Sequence, residues 1–247
     1  MTVANYSIFH KYKKKLQSLP PSLSKQHILS GHFLLEKDDK KRLEIYYAPF
    51  EYVNKFAKVV IVGITPGLQQ MKQSFSTVLN ANNQHVKDEE LLHQVKNESS
   101  YKGQTRENLV QMLDDLGLHQ YLNLISTNEF FNEASHLVHT TSVISYPVFY
   151  NGGNYNGSKG PKILSTGLLK KYVIEHLVTE FSDMNNPLII PLGERVAEVF
   201  KFLVEEKLLK SEHILFGFPH PSNENRGREE KFAENKNQME EKVRAYF

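Results

Sequence analysis

Short apolar runs alternate with stretches of helical periodicity along this chain. Lys58–Val62 reads Lys-Val-Val-Ile-Val and closes on Gly63. A run that is β-branched and apolar on both faces predicts a buried strand of a parallel sheet. Leu188–Leu192 (Leu-Ile-Ile-Pro-Leu), ended by Gly193, predicts a second, and His213–Phe218 a third. Leu122–Thr127 and His139–Ser145 read as strands or extended segments. Helical spacing predicts helices over Leu68–Leu79, interrupted at Asn80–Asn83, and over Thr105–Leu116, with Thr105 as N-cap and Gly117 as stop. Further helices are predicted over Thr166–Phe181 and Glu194–Leu209, and over a C-terminal stretch carrying Phe232, Met239, Val243 and Tyr246. Residues 84–100 are polar and read as a surface excursion. Residues 146–162 are rich in glycine, with Tyr150 and Tyr155 among them, and read as a long loop.

Strands alternating with helices of this length predict an α/β fold, a three-layer α/β/α sandwich around a short, mainly parallel central sheet. Residues 1–50 are expected to form a helical and irregular layer packed on that core, and residues 51–247 the α/β domain itself. In such sheets the site lies beyond the carboxyl ends of the strands. Two loops qualify, the one after Val62 and the one after Phe218.

The composition narrows the chemistry. The chain has 247 residues, 40% hydrophobic and 23% charged, which are ordinary globular proportions. It has no cysteine, so disulfides, a thiol nucleophile, thiolate zinc sites and cysteine-held iron–sulfur clusters are excluded. A net charge of +2 makes no case for nucleic acid by itself, because that requires basic groups clustered on one face. Lys11, Lys13, Lys14 and Lys15 are not followed by an apolar core before Pro20, so no secretory signal is read. No apolar run approaches the ~20 residues of a membrane span. The expectation is a soluble, cytoplasmic, monomeric protein without metal or cofactor.

The first loop reads Gly63-Ile64-Thr65-Pro66-Gly67. Gly63 ends a strand where a side chain would crowd a ligand, Gly67 can take the positive φ that turns the chain, and Pro66 stiffens the loop around Thr65. The alternative is a plain strand-to-helix turn. The second loop reads His220-Pro221-Ser222. An imidazole between two prolines has little backbone freedom, which suits a group that donates a hydrogen bond in fixed geometry. The alternatives are a surface histidine and, for Ser222, a helix N-cap.

Together the two loops resemble the uracil-DNA glycosylase superfamily, whose first motif is Gly-x-x-Pro-Gly after the first core strand and whose last is His-Pro-Ser after the final one. Leu188–Phe200, with Gly193 and Ala197, is similar to the family's penultimate strand and helix. The resemblance spans roughly residues 55–235 and is closest to the mismatch-specific type, Gly-Ile-Asn-Pro-Gly. It implies an enzyme that flips a damaged or deaminated base out of DNA into a pocket and hydrolyses its N-glycosidic bond. His220 would donate to the base oxygen as negative charge develops there. Thr65 would position the attacking water, and Gly63, Ile64, Pro66 and Gly67 would shape the base pocket. Phe75 would be the aromatic platform or, equally, a core residue of the first helix.

The chain departs from the family at several points. Thr65 stands where other members carry Asp or Asn, and a hydroxyl cannot take a proton from water near neutral pH. The general-base contribution of ~10²–10⁴ in rate would then be missing. Ser142 falls at the base-reading Asn position, with Asn151 and Asn154 as alternatives. Arg226 or Arg228, beside Pro221 and Ser222, would fill the gap left by the flipped base or bind phosphate, or would belong to a solvated charge run. The long loop would be a pocket wall with Tyr150 or Tyr155 stacking on a base, or would mark a divergent branch with another substrate. Two other readings stay open: a weakly catalytic or non-catalytic binder of nucleotides or nucleic acid, and a hydrolase of a different N-glycoside.

Overall fold

The computed structural model describes residues 6–82 and 85–247. In chain order the helices are α1 (Ser7–Gln17), α2 (Lys25–Ile28), α3 (Leu68–Asn80), α4 (Asp88–Ser99), α5 (Gln104–Asp115), α6 (Leu118–Tyr121), α7 (Gly167–Tyr172), α8 (Val178–Ser182), α9 (Glu194–Glu205) and α10 (Arg228–Tyr246). The strands are β1 (Leu34–Asp38), β2 (Leu43–Tyr46), β3 (Val59–Gly63), β4 (Val138–Ser142), β5 (Val148–Tyr150), β6 (Gly153–Asn154) and β7 (Leu188–Pro191). The chain divides into two compact units. One comprises residues 1–52, 65–99 and 144–161; the other 53–64, 100–143 and 162–247. Among the described residues no helix is long and apolar enough to cross a membrane.

The second unit holds the parallel sheet, in the order β4–β3–β7. All five residues of β3 are buried, as its unbroken apolar run requires. It pairs in parallel with β4 (Gly63 opposite Ser142) and with β7 (Val62 opposite Pro191). Val59, Ile61, Leu188 and Ile190 project to one face. They pack there with Leu109, Met112 and Leu113 of α5 and with Phe232, Met239 and Val243 of α10. β4 is pinned by His139, whose Nε2 lies 2.6 Å from Glu180 of α8, while the Asn54 amide donates to Val138 O at 3.0 Å. Residues 167–182 are helical throughout, with a π turn at Val173–Leu177 between α7 and α8.

Three expectations for this unit change. Leu122–Thr127 forms no strand; it leads into a 3-10 turn at Thr127–Phe131. His213–Phe218 contributes only a parallel bridge between Ile189 and Ile214, continued by Leu215 N–H donating to Ile189 O. Gly103, rather than Thr105, occupies the N-cap position of α5, whereas Gly117 does adopt the left-handed conformation expected of a helix stop.

The first unit is built on an antiparallel sheet, in the order β1–β2–β5–β6, which the sequence reading did not contain. The segment 146–162 is therefore not simply a loop. Asn151 (φ 51°) and Gly152 (φ 70°) form a tight turn between β5 and β6, using the residue pair best suited to two successive positive φ values. Residues 84–100 are not a plain excursion either. From Asp88 they form α4, which buries Leu91, Leu92 and Val95, while Asn83 and Gln84 lie outside the described residues. α3 buries Met71, Phe75 and Val78 at helical spacing.

Candidate functional site

In the second unit, parallel pairing brings the ends of β3 and β7 side by side. Leu192 N–H continues the ladder to Val62 O at 2.9 Å, so Gly63 and Gly193 end neighbouring strands. Gly193 donates its N–H to Phe218 O at 2.9 Å and sits at φ 85°. A Cβ there would lie 3.1 Å from the Cβ of His220. Glycine is needed at Gly193 twice over, for its backbone conformation and for the approach of the His220 segment.

His220 is half-buried and oriented by its own loop. The backbone N–H of Ser222 donates to Nδ1 at 3.2 Å, and Ser222 Oγ lies 3.0 Å from the same nitrogen. A backbone N–H can only donate, so Nδ1 accepts and the proton of the neutral ring sits on Nε2. Burial holds the His220 pKa below its ordinary value, with Glu224 opposing weakly. The ring is thus neutral at pH 7, with Nε2–H as its available donor. Ser222 spends its hydroxyl here and caps no helix; α10 begins six residues later, at Arg228.

The backbone of this loop is clamped from outside. Asn108 of α5, itself buried, donates to Pro221 O at 2.8 Å and to Asn223 Oδ1 at 2.9 Å. Arg228 Nη1 donates to Pro221 O and to Asn223 Oδ1, each at 3.2 Å. Asn225 Nδ2 donates to His220 O at 3.0 Å. Arg228 is therefore a scaffold for the His220 loop, whereas Arg226 is exposed. The clamp had one sequence signal that went unread: an amide on the apolar face of α5, beside Leu109 and one turn before Met112.

Ser142, at the end of β4, lies across from Gly63, and Val143 N–H donates to Gly63 O at 2.9 Å. Thr141, next to it, has a buried hydroxyl without a hydrogen-bond partner. Gly63, Ile64, Ser142, His220, Pro221, Ser222, Arg226 and Arg228 all belong to this unit.

Thr65, Pro66, Gly67, Phe75 and Tyr155 belong to the first unit. The Thr65 hydroxyl donates to Tyr146 O at 2.7 Å and accepts from Val148 N–H at 3.1 Å. Its single proton is committed, so it has none to give a water. Gly67 has φ −89°, not the positive value expected, and accommodates something else. Asn154 Nδ2 lies 3.1 Å from where a Cβ would stand, while Asn154 Oδ1 accepts Leu68 N–H at 3.0 Å. Asn151 instead faces Arg42, 3.2 Å away. Phe75 is fully buried, its ring 4.8 Å from that of Phe33, a core position. Tyr155 is buried and donates to Pro161 O at 2.6 Å, which leaves it closing its own loop.

Among the described residues no group of three or more His, Asp or Glu side chains could hold a metal ion. Fold and site together define an α/β protein with an oriented histidine beyond the carboxyl ends of parallel strands. No family model matches the chain, and no match was found among solved structures. The chain is 37% identical over 246 residues to the uncharacterized protein YoxB of Bacillus subtilis (strain 168), the alignment covering 99% of this chain and 95% of that one. It belongs to the same family as YoxB.

Proposed function

We propose that this protein is a DNA glycosylase-like N-glycosyl hydrolase with a uracil-DNA glycosylase type of fold, acting in the cytoplasm on a flipped uracil-type base. The observation that carries the reading is the state of His220. Its Nδ1 accepts the Ser222 N–H, which leaves a neutral Nε2–H beyond the ends of β3 and β7. Departure of a base leaves negative charge shared onto its exocyclic carbonyl oxygen, and a fixed neutral donor stabilises that charge without reorganising. Gly193 lets the His220 segment close on the end of β7, a Cβ there lying 3.1 Å from that of His220. Arg226 is the group that would meet the DNA backbone.

The competing reading is a binder that retains the pocket with little turnover. What favours it is Thr65, whose hydroxyl proton goes to Tyr146 O. Without a general base, hydrolysis would rest on stabilisation of the leaving group alone and run ~10²–10⁴ slower than with one. The test is single-turnover cleavage of uracil-containing DNA, single-stranded, U·A and U·G, by wild type and His220→Ala. Abasic sites made by wild type and largely lost in the variant support the hydrolase. Tight binding of abasic-site DNA with no cleavage at enzyme excess sinks it in favour of the binder.

A further inference from the structure

Tyr101 has no part in the features above, yet it is held in an unusual state. Its backbone lies at φ 47°, a left-handed conformation that is unfavourable for a ring-bearing residue. Strain of this kind persists only where the surroundings over-determine it, and they do so here. Ser100 Oγ lies 2.7 Å from Thr140 Oγ1 of β4. Arg106 bonds to the Ser100 carbonyl, and its guanidinium sits over the Phe131 ring, 4.2 Å from the centroid. The turn before α5 is thereby tied to β4 on one side and to the 3-10 segment on the other.

The outcome is the position of one oxygen. The Tyr101 hydroxyl lies 3.1 Å from the point a Cβ on Gly63 would occupy, and Ser142 Oγ lies 3.6 Å from the same point. The Tyr101 hydroxyl makes no hydrogen bond among the described residues. Burial pushes its pKa well above the ordinary tyrosine value, so the hydroxyl keeps its proton at neutral pH and has it to donate. A Cβ at Gly63 would press on the Tyr101 hydroxyl, and glycine lets the two hydroxyls come close to the end of β3.

We propose that Tyr101 reads the ligand: its hydroxyl and that of Ser142 form a two-point edge above Gly63 that binds the lactam edge, O=C–N–H, of a planar nucleobase. Tyr101 donates to the carbonyl oxygen, and Ser142 Oγ accepts the ring N–H. The pair supplies the donor and acceptor that one amide side chain would otherwise provide, and a serine alone does not. Cytosine substituted at N1, as in a nucleotide, presents N=C–NH₂ at one edge and sets its carbonyl beside an unprotonated N3, so it has no O=C–N–H edge to offer. The inference rests on the nucleobase reading above for its choice of probe.

The test is binding of uracil and cytosine as the small bases methylated at N1, where the sugar attaches, which needs no turnover. With tyrosine 13C-labelled at Cζ, the Tyr101 resonance is identified by its loss in Tyr101→Phe, a change that keeps the ring. Uracil should shift that resonance saturably, cytosine should not, and Tyr101→Phe and Ser142→Ala should each weaken uracil binding roughly 3–10-fold. A Tyr101 resonance unmoved up to the solubility limit of uracil overturns the inference, as does an equal shift with cytosine. A wild type that binds uracil through Tyr101 but leaves uracil-containing DNA intact overturns the hydrolase and supports the inference. Cleavage with an unmoved Tyr101 does the reverse.

Discussion

Thr65 and His220 each precede a proline in a loop that the sequence places after an apolar strand-like run, and the sequence presents them as equals. Their side chains end in opposite states. The Thr65 hydroxyl gives its proton to Tyr146 O and takes one from Val148 N–H, so it fastens its loop to the start of β5. His220 has one nitrogen tied down by Ser222 and the other left as a donor. A polar group saturated by its own fold stabilises the fold; one that is half-saturated and oriented is available to a ligand. The contrast teaches that a motif position becomes functional through the hydrogen bonds left unmade.

The largest effect expected from this contrast is at His220. His220→Ala should lower single-turnover cleavage by ~10²–10³, the loss typical of one preorganised donor to a developing oxyanion, with little change in melting temperature. Ser222→Ala sharpens the point. It removes the hydroxyl but keeps the backbone N–H that sets the tautomer, so most of the activity should survive. Because burial holds the His220 pKa down, activity should persist below pH 6.5 and fall only on the acid side of that ordinary value. An acid limb above pH 6.5 would break the assignment of a neutral donor.

The same contrast recurs between buried ionisable groups. In the second unit His139 sits 2.6 Å from Glu180 and receives the Asn54 N–H on its other nitrogen. In the first unit the two carboxylate oxygens of Glu51 are buried with no hydrogen-bond partner. Burial pushes its pKa to about 7, and its own backbone N–H, the Tyr47 hydroxyl and Lys96 pull it back only partly. A carboxyl whose pKa is higher folded than unfolded favours the native state fully below its unfolded value. That contribution is lost as pH rises through the folded value. Stability should therefore decline between about pH 4.5 and pH 7, by about 3 kcal/mol at most from the shift. Glu51→Gln should flatten that decline in urea titrations run across the range. An unchanged pH profile would mean that Glu51 has a partner in solution.

How much of this was legible follows the physics of each signal. β3 and β7 were readable because burial on both faces leaves an unbroken apolar run. The strand expected at His213–Phe218 shrank to a bridge because an apolar stretch can be buried as a coil whose carbonyls are satisfied by neighbours. β1 and β2 escaped because Leu34–Asp38 is only half-buried and carries no alternation worth reading. The hairpin was hidden in its glycines, although Asn151-Gly152 is a turn signal in its own right. At the site, the two loops stand out in the sequence because proline and glycine mark them. Asn108, Tyr101 and Asn154 do not, since each acts through contacts more than 35 residues away in the chain.

Asn108 gives the next prediction in size. Its amide joins α5 to the His220 loop, and Asn108→Ala would leave Pro221 O to Arg228 alone. The expected loss is ~1–3 kcal/mol of stability, with cleavage falling more than the fraction folded can explain because His220 loses its support. Asn108→Asp should not rescue it, because a carboxylate cannot donate to a carbonyl. If Asn108→Ala lowers stability but leaves the per-molecule rate intact, the clamp is structural only and the His220 loop holds itself.

The smallest effect separates the two loops most sharply. Thr65→Val keeps the shape of the side chain and removes both hydrogen bonds to the 146–148 segment, so it should cost ~1–2 kcal/mol. It should appear as a lower urea midpoint at unchanged slope. Thr65→Ser, which retains the hydroxyl, should restore most of it. Because the Thr65 proton is already given to Tyr146 O, the cleavage rate of the folded Thr65→Val protein should stay within a few fold of wild type. A tenfold or larger loss of rate at unchanged stability would mean that the hydroxyl leaves Tyr146 to hold the attacking water. The distinction between a fastening loop and a reacting loop would then fall.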